Sequence, residues 1–275
     1  MAASPKRAPA LGRVGGAGAL SRAAFPLVLT ALIVVAWLQL SLWSLSPYAR
    51  YLDHRALEEL PFRLSPTYLG LLGLFVLGWL LMSVAMMLPT SLPLVRTFHR
   101  MVGRRTDRGR LVALVVAGYL AVWTIVGLLA HLGDLGVHEA VHRLAWLERR
   151  EWLVGSVTLA LAGVVQLTPL KHACLTRCRS PLSFVAEHWG HGAPRRDALA
   201  LGMRHGLFCV GCCWPLMLVM FAFACGNVGW MAGLGAVMAV EKNAAWGRRL
   251  TAPIGVALLI AAVATAAIGA GYLAA

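Results

Sequence analysis

Apolar positions in this chain form long unbroken runs rather than the alternating or one-sided patterns of soluble strands and helices. Phe25 to Leu45, Thr67 to Leu88, Leu111 to Ala130, Trp152 to Thr168 and Thr251 to Leu273 each approach the length needed to cross about 30 Å of hydrocarbon at ~1.5 Å per residue. From Gly206 to Val240 there are 35 residues without a charge, about 52 Å as one helix and too long for a single crossing. A hairpin resolves this, with its turn at Gly226-Asn227, because glycine tolerates turn backbone angles and asparagine follows it closely. The pattern therefore predicts an all-α protein, a polytopic transmembrane helix bundle of about seven spans. They run over 25–45, 67–88, 111–130, 152–168, 206–225, 228–240 and 251–273, the sixth short enough to be re-entrant. Residues 1–24, rich in Ala, Gly and Pro, read as a disordered basic cytoplasmic tail ahead of a transmembrane helical domain over 25–275. The first apolar run exceeds the ~7 to 15 residues of a secretory signal core and reads as an uncleaved anchor.

Composition agrees. Of 275 residues 59% are hydrophobic and 13% charged, about half the charge of a soluble domain, so that class is excluded. The net charge of +14 would suggest nucleic acid if it covered a folded surface, but the basic residues lie between apolar runs. Nineteen of the 25 lysines and arginines fall in the tail and in segments 89–110, 169–204 and 241–250, which are alternate connections. This bias predicts a multi-pass protein of the cell inner (plasma) membrane, amino terminus cytoplasmic and carboxyl terminus external. Its partner on this reading is the lipid bilayer, with no nucleic acid.

The candidate chemistry lies in the cysteines. Five of the six fall between Cys174 and Cys213. Any one of them reads most simply as a small buried hydrophobe, but the clustering favours metal or redox chemistry, since thiols near the cytoplasmic face stay reduced. Cys174 and Cys178 are four apart between Pro169 and Pro181, so a helix there puts both sulfurs on one face, beside Lys171, Arg177 and Arg179. Nearby positive charge favours the thiolate, although a basic amphipathic helix on the headgroups explains the same string. His205, Cys209, Cys212 and Cys213 fall within a helical arc of about 100°, with Met220 on the same arc two turns deeper. Pro215 frees a backbone carbonyl one turn earlier, near Gly211.

Met82 and Met86 share a helical face at the cytoplasmic end of the second run, where methionines usually only pack. Glu241 ends the sixth run at the same level and suits a partner of the ligands or a boundary ion pair. Thiolate, imidazole and thioether together select a soft transition metal ion, with Cu(I) favoured over Zn(II). The spacing is not that of a zinc finger, and no haem-attachment, nucleotide-loop or nucleophile-elbow motif occurs. His131, His138 and His142, with Asp134 and Glu139, read as solvated loop polarity. Gly202-x3-Gly206 and Gly229-x3-Gly233 read as close helix packing.

Met82-x3-Met86-Met-Leu-Pro89, Gln166-Leu-Thr-Pro-Leu-Lys-x2-Cys174-x3-Cys178-Arg-x-Pro181, Arg204-His-Gly-x2-Cys209-x-Gly-Cys-Cys-Trp214, and Trp230-Met with Glu241-Lys242 occur together. In these strings, over roughly residues 65 to 250, the chain resembles the bacterial family described as predicted metal-binding integral membrane proteins, a domain of unknown function. The resemblance implies a polytopic membrane protein with a metal site at Cys174, Cys178, His205, Cys209, Cys212 and Cys213. Cys225 stands where that family pattern has a methionine before the asparagine.

Two functions compete on this reading. One is Cu(I) handling at the cytoplasmic leaflet, by facilitated transfer or by assembly of a membrane cuproenzyme, with that enzyme or a metallochaperone as partner. The other is a thiol or quinone redox enzyme using Cys209, Cys212 and Cys213. A structural subunit whose cysteines only pack is the plain alternative. No residue is marked as catalytic, and the balance leans against an enzyme.

Overall fold

The computed structural model describes residues 16–46, 65–224 and 227–274, and every regular element among them is helical. Residues 1–15 of the tail expected over 1–24, and Gly226 of the expected Gly226-Asn227 turn with Cys225 before it, lie outside the described residues, while 16–24 form the start of a helix. Helix α1 spans Gly16–Ser44 and so begins ahead of the first apolar run. Helix α2, Pro66–Met82, passes through a π turn at Ser83–Met87 into α3, Leu88–Met101. Helix α4 is Arg108–Arg143, α5 the single turn Ala145–Glu148, α6 Trp152–Gln166, α7 Pro169–Cys178 and α8 Pro181–His188. Helix α9 spans Pro194–Ala224 and α10 spans Val228–Asn243. A 3-10 turn at Gly247–Leu250 leads into α11, Thr251–Ala274.

The helix starts follow local chemistry. Ser65, Thr168 and Asn227 each accept a bond from the backbone N–H three residues on, and Pro66, Pro169 and Pro181 occupy first positions where no N–H is needed. The π turn also has a local cause. Pro89 cannot donate, and its ring crowds the carbonyl of Ala85, so a widened turn immediately before it relieves the contact. The chain then stays helical through Pro93, where the sequence pattern expected a loop from Pro89 onward.

Among the described residues five helical stretches are long and apolar enough to cross a membrane: 27–44, 66–101, 108–143, 194–220 and 247–271. Helices α6 and α7, bent by 66° at Leu167-Thr168, make a sixth if taken as one broken span. Helix α10, the short member of the expected hairpin, has 16 residues and reaches about 24 Å, less than the ~30 Å of hydrocarbon.

Helix α9 is the central element. It packs along α4 and also touches α6 and α7, while α6 pairs with α11. Glycines set the α4–α9 spacing: a Cβ on Gly118 would lie 2.3 Å from the Leu199 carbonyl oxygen, and one on Gly202 would lie 2.0 Å from that of Val115. Backbones can approach this closely only where no side chain intervenes. Gly206 adjoins Val122 in the same seam, whereas Gly233 meets nothing within 4 Å, so only the first small-residue pair packs as its spacing suggested. Gly202→Ala should therefore destabilise the fold by about 1–3 kcal/mol through overpacking, while Gly233→Ala should be neutral or mildly stabilising in thermal unfolding.

Two buried clusters meet along α9. One, around Leu94, Phe98, Leu111, Phe184 and Leu201, sits near the basic ends of the helices. The other runs deeper through Trp79, Trp123, Met217 and Met220. Cys174, Cys209, Cys212 and Cys213 belong to this second cluster, with Cys178 packed against it.

Candidate metal centre

The shared arc on α9 is real, and it faces inward. His205, Cys209, Cys212, Cys213 and Met220 are all buried, held between α4 on one flank and the π turn, α7 and α10 on the others. Their sulfurs meet neighbours from other helices. Cys209 Sγ lies 4.0 Å from Cys213 Sγ, which lies 3.8 Å from Met87 Sδ in the π turn. Cys212 Sγ lies 4.0 Å from Cys178 Sγ at the end of α7. Cys174 reaches α9 as well, because Gly211 leaves room: a Cβ there would stand 2.6 Å from Cys174 Sγ. The five described cysteines are all free thiols. Those of Cys212 and Cys213 donate to the Cys209 carbonyl at 3.1 and 2.8 Å, so they rest on the backbone of their own turn.

Donors thus come in pairs. Among the described residues no three His, Cys, Asp or Glu side chains converge as a ready ligand group. The trio in sequence of contact, Cys209, Cys213 and Met87, includes a thioether, which suits a soft ion of low coordination number and not a tetrahedral zinc site.

Of the two methionines singled out by spacing, Met86 packs against Gly235 of α10 and Met82 belongs to the deeper cluster. The methionine touching a cysteine is Met87. The π turn inserts an extra residue into the helix, so the face that an α-helical count assigns to Met86 passes to its neighbour. His205 stands one turn before Cys209. Its Nε2 is 3.2 Å from Ser91 Oγ, and its ring stacks on Tyr119 at 5.7 Å and meets Phe184 edge-on at 5.6 Å. Its Nδ1 is buried with no hydrogen-bond partner among the described residues. Tyr119 joins the histidine to the thiols, donating to the Met87 carbonyl at 3.2 Å with its oxygen 3.0 Å from Cys209 Sγ.

Two buried lysines complete the site, and of these spacing singled out Lys171 but not Lys242. Lys242 Nζ is buried 2.8 Å from Cys209 Sγ and 3.2 Å from Thr90 Oγ1. Lys171, fully buried, pairs with Glu241 at 2.7 Å, and Gln166 donates to the other carboxylate oxygen at 3.3 Å. Arg179 donates to the Glu241 carbonyl at 2.6 Å, tying the end of α7 to the end of α10. Both lysines count as connection charges in the topology, Lys171 being also a neighbour of the Cys174 and Cys178 pair. What marks them in sequence is position: each adjoins an apolar stretch and lies within four residues of a cysteine or beside a glutamate.

The fold and the site define an apolar helical bundle with a buried pocket of thiols and a thioether. The family model described as a copper chaperone, PpoB2, matches residues 76–265, more than two thirds of the chain and inclusive of every donor above. The chain belongs to this copper chaperone family. No curated protein and no solved structure matches it.

Proposed function

We propose that the protein is a membrane-embedded copper chaperone that holds Cu(I) between the thiolates of Cys209 and Cys213, with Met87 as the third soft donor. The observation that carries this reading is the run of sulfur contacts Cys209–Cys213–Met87, 4.0 and 3.8 Å, in a pocket closed to solvent. Each spacing exceeds a bond and leaves the sulfurs close enough for one ion to draw them together with small side-chain rotations. Cys212 and Cys178, adjacent on the side of α7, supply a second thiol pair for receiving or releasing the ion, with Cys174 beside them. Ligand exchange between neighbouring thiol pairs moves a soft ion without setting it free in water. His205 orients Tyr119 and Ser91 at the pocket wall.

The long apolar helices support insertion in the inner membrane, and the charge bias supports a cytoplasmic amino terminus. On that orientation the pocket lies at the level of the cytoplasmic leaflet, and the recipient is a copper enzyme at or in the same membrane.

The test is metal content. Purified chain loaded with Cu(I) under reducing conditions should retain about one equivalent, and less than about a tenth would end the reading. Met87→Leu should weaken Cu(I) binding by about tenfold, whereas Met86→Leu should leave it unchanged, because only the former removes a donor. Equal effects from the two substitutions would displace Met87 from the site.

A further inference from the structure

The pocket holds a cation that copper ligation does not require. Lys242 Nζ lies 2.8 Å from Cys209 Sγ and 4.0 Å from Cys213 Sγ, and the residue is only 5% exposed. Glu241, its neighbour in sequence, leaves α10 about 100° away and is committed to Lys171. A buried ammonium is strongly disfavoured unless an anion faces it, and the groups facing this one are the two sulfurs that become anionic on binding a metal.

We infer that Lys242 determines which ion the pocket takes, fixing the site's charge so that a monovalent soft cation is accepted and a divalent one is rejected. This rests on the copper-chaperone reading above. Metal-bound cysteines are thiolates, so Cys209, Cys213 and Lys242 together carry one net negative charge. Cu(I) brings the buried site to neutrality. Zn(II) would leave an uncompensated positive charge out of reach of water. Ligand softness alone separates the two ions poorly, because zinc also binds thiolates well. Thr90 completes the arrangement. Its hydroxyl donates to the Met87 carbonyl at 2.8 Å, leaving oxygen lone pairs to hold the ammonium at 3.2 Å while the thiolate turns to the metal.

The experiment compares Cu(I) and Zn(II) affinities of the full chain in detergent, each by competition with a chromophoric chelator, for wild type and Lys242→Leu. Loss of the charge should move the Cu(I)-to-Zn(II) affinity ratio toward zinc by about tenfold or more, the sign following from one unit of charge at close range. A purely structural role for the lysine would weaken both ions and leave the ratio in place. Lys242→Gln, which keeps donors for Thr90 and Cys209 without the charge, gives the same reading if the leucine variant does not fold. A ratio that stays within about threefold of wild type in a folded neutral variant overturns the inference and leaves the copper reading standing. Failure of wild type to bind Cu(I) at all overturns both.

Discussion

Cys209→Ser combined with Cys213→Ser should abolish tight Cu(I) binding, weakening it by roughly a hundredfold or more, since loss of outer partners alone typically reduces metal affinity about 10- to 100-fold. The substitution suits the site because serine can keep the local bonding. The hydroxyl at position 213 can donate to the Cys209 carbonyl as the thiol does at 2.8 Å, and the oxygen at 209 can accept from Lys242. What disappears is the soft anion, and a hydroxyl does not ionise to replace it. The paired change Cys178→Ser with Cys212→Ser should act differently. It should leave equilibrium affinity within about tenfold while slowing transfer of copper to or from an external chelator, because that pair is offered as the route and not the resting site. Competition titration and stopped-flow exchange on the same preparations separate the two. Copper retained at near wild-type affinity without Cys209 and Cys213 would remove the pocket from the account.

The helical architecture and the shared face on α9 were legible in the sequence because each depends on local facts. Uninterrupted apolar runs have few ways to satisfy their backbone polar groups, and residues spaced by three and four must share a helical face. The caps at Ser65, Thr168 and Asn227 are local as well. Other features depend on what arrives from elsewhere in the chain. That Met87 and not Met86 touches Cys213 follows from a π turn next to Pro89, and α-helical counting has no means of representing the inserted residue. Lys242 looks like one more charge at the end of an apolar run until α9 and the π turn close around it. Helix ends depart from the apolar runs for a related reason: α3, the start of α9 and the end of α4 are polar yet helical, and α3 and the start of α9 are supported by packing on α8 and the start of α4 and not by an apolar stretch.

Breaking the Lys171–Glu241 pair on one side should produce the largest loss of stability in this set. Both groups are essentially inaccessible, and the carboxylate is already shared with Gln166, so Glu241→Gln would strand an ammonium in the bundle interior. An uncompensated buried charge of this kind costs about 3–5 kcal/mol, which for a chain of this size lowers the unfolding midpoint by of order 10 °C. Removing both charges should undo most of that loss. Lys171→Met with Glu241→Leu replaces the pair by apolar side chains of similar volume, an exchange that is often neutral or stabilising in other proteins. The same pair of variants tests how α10 is held. The pair and the Arg179 bond to the Glu241 carbonyl fasten the end of α10 to α7, and Lys242 is the next residue along. Glu241→Gln should therefore also weaken Cu(I) binding by several fold through displacement of Lys242, while the double apolar variant, with α10 packed again, should recover it. Thermal unfolding in detergent and Cu(I) titration of the three proteins decide the matter. If Glu241→Gln melts with wild type, the buried ion pair contributes nothing to the fold. If the double variant melts as low as the single one, the pair is needed for more than charge balance.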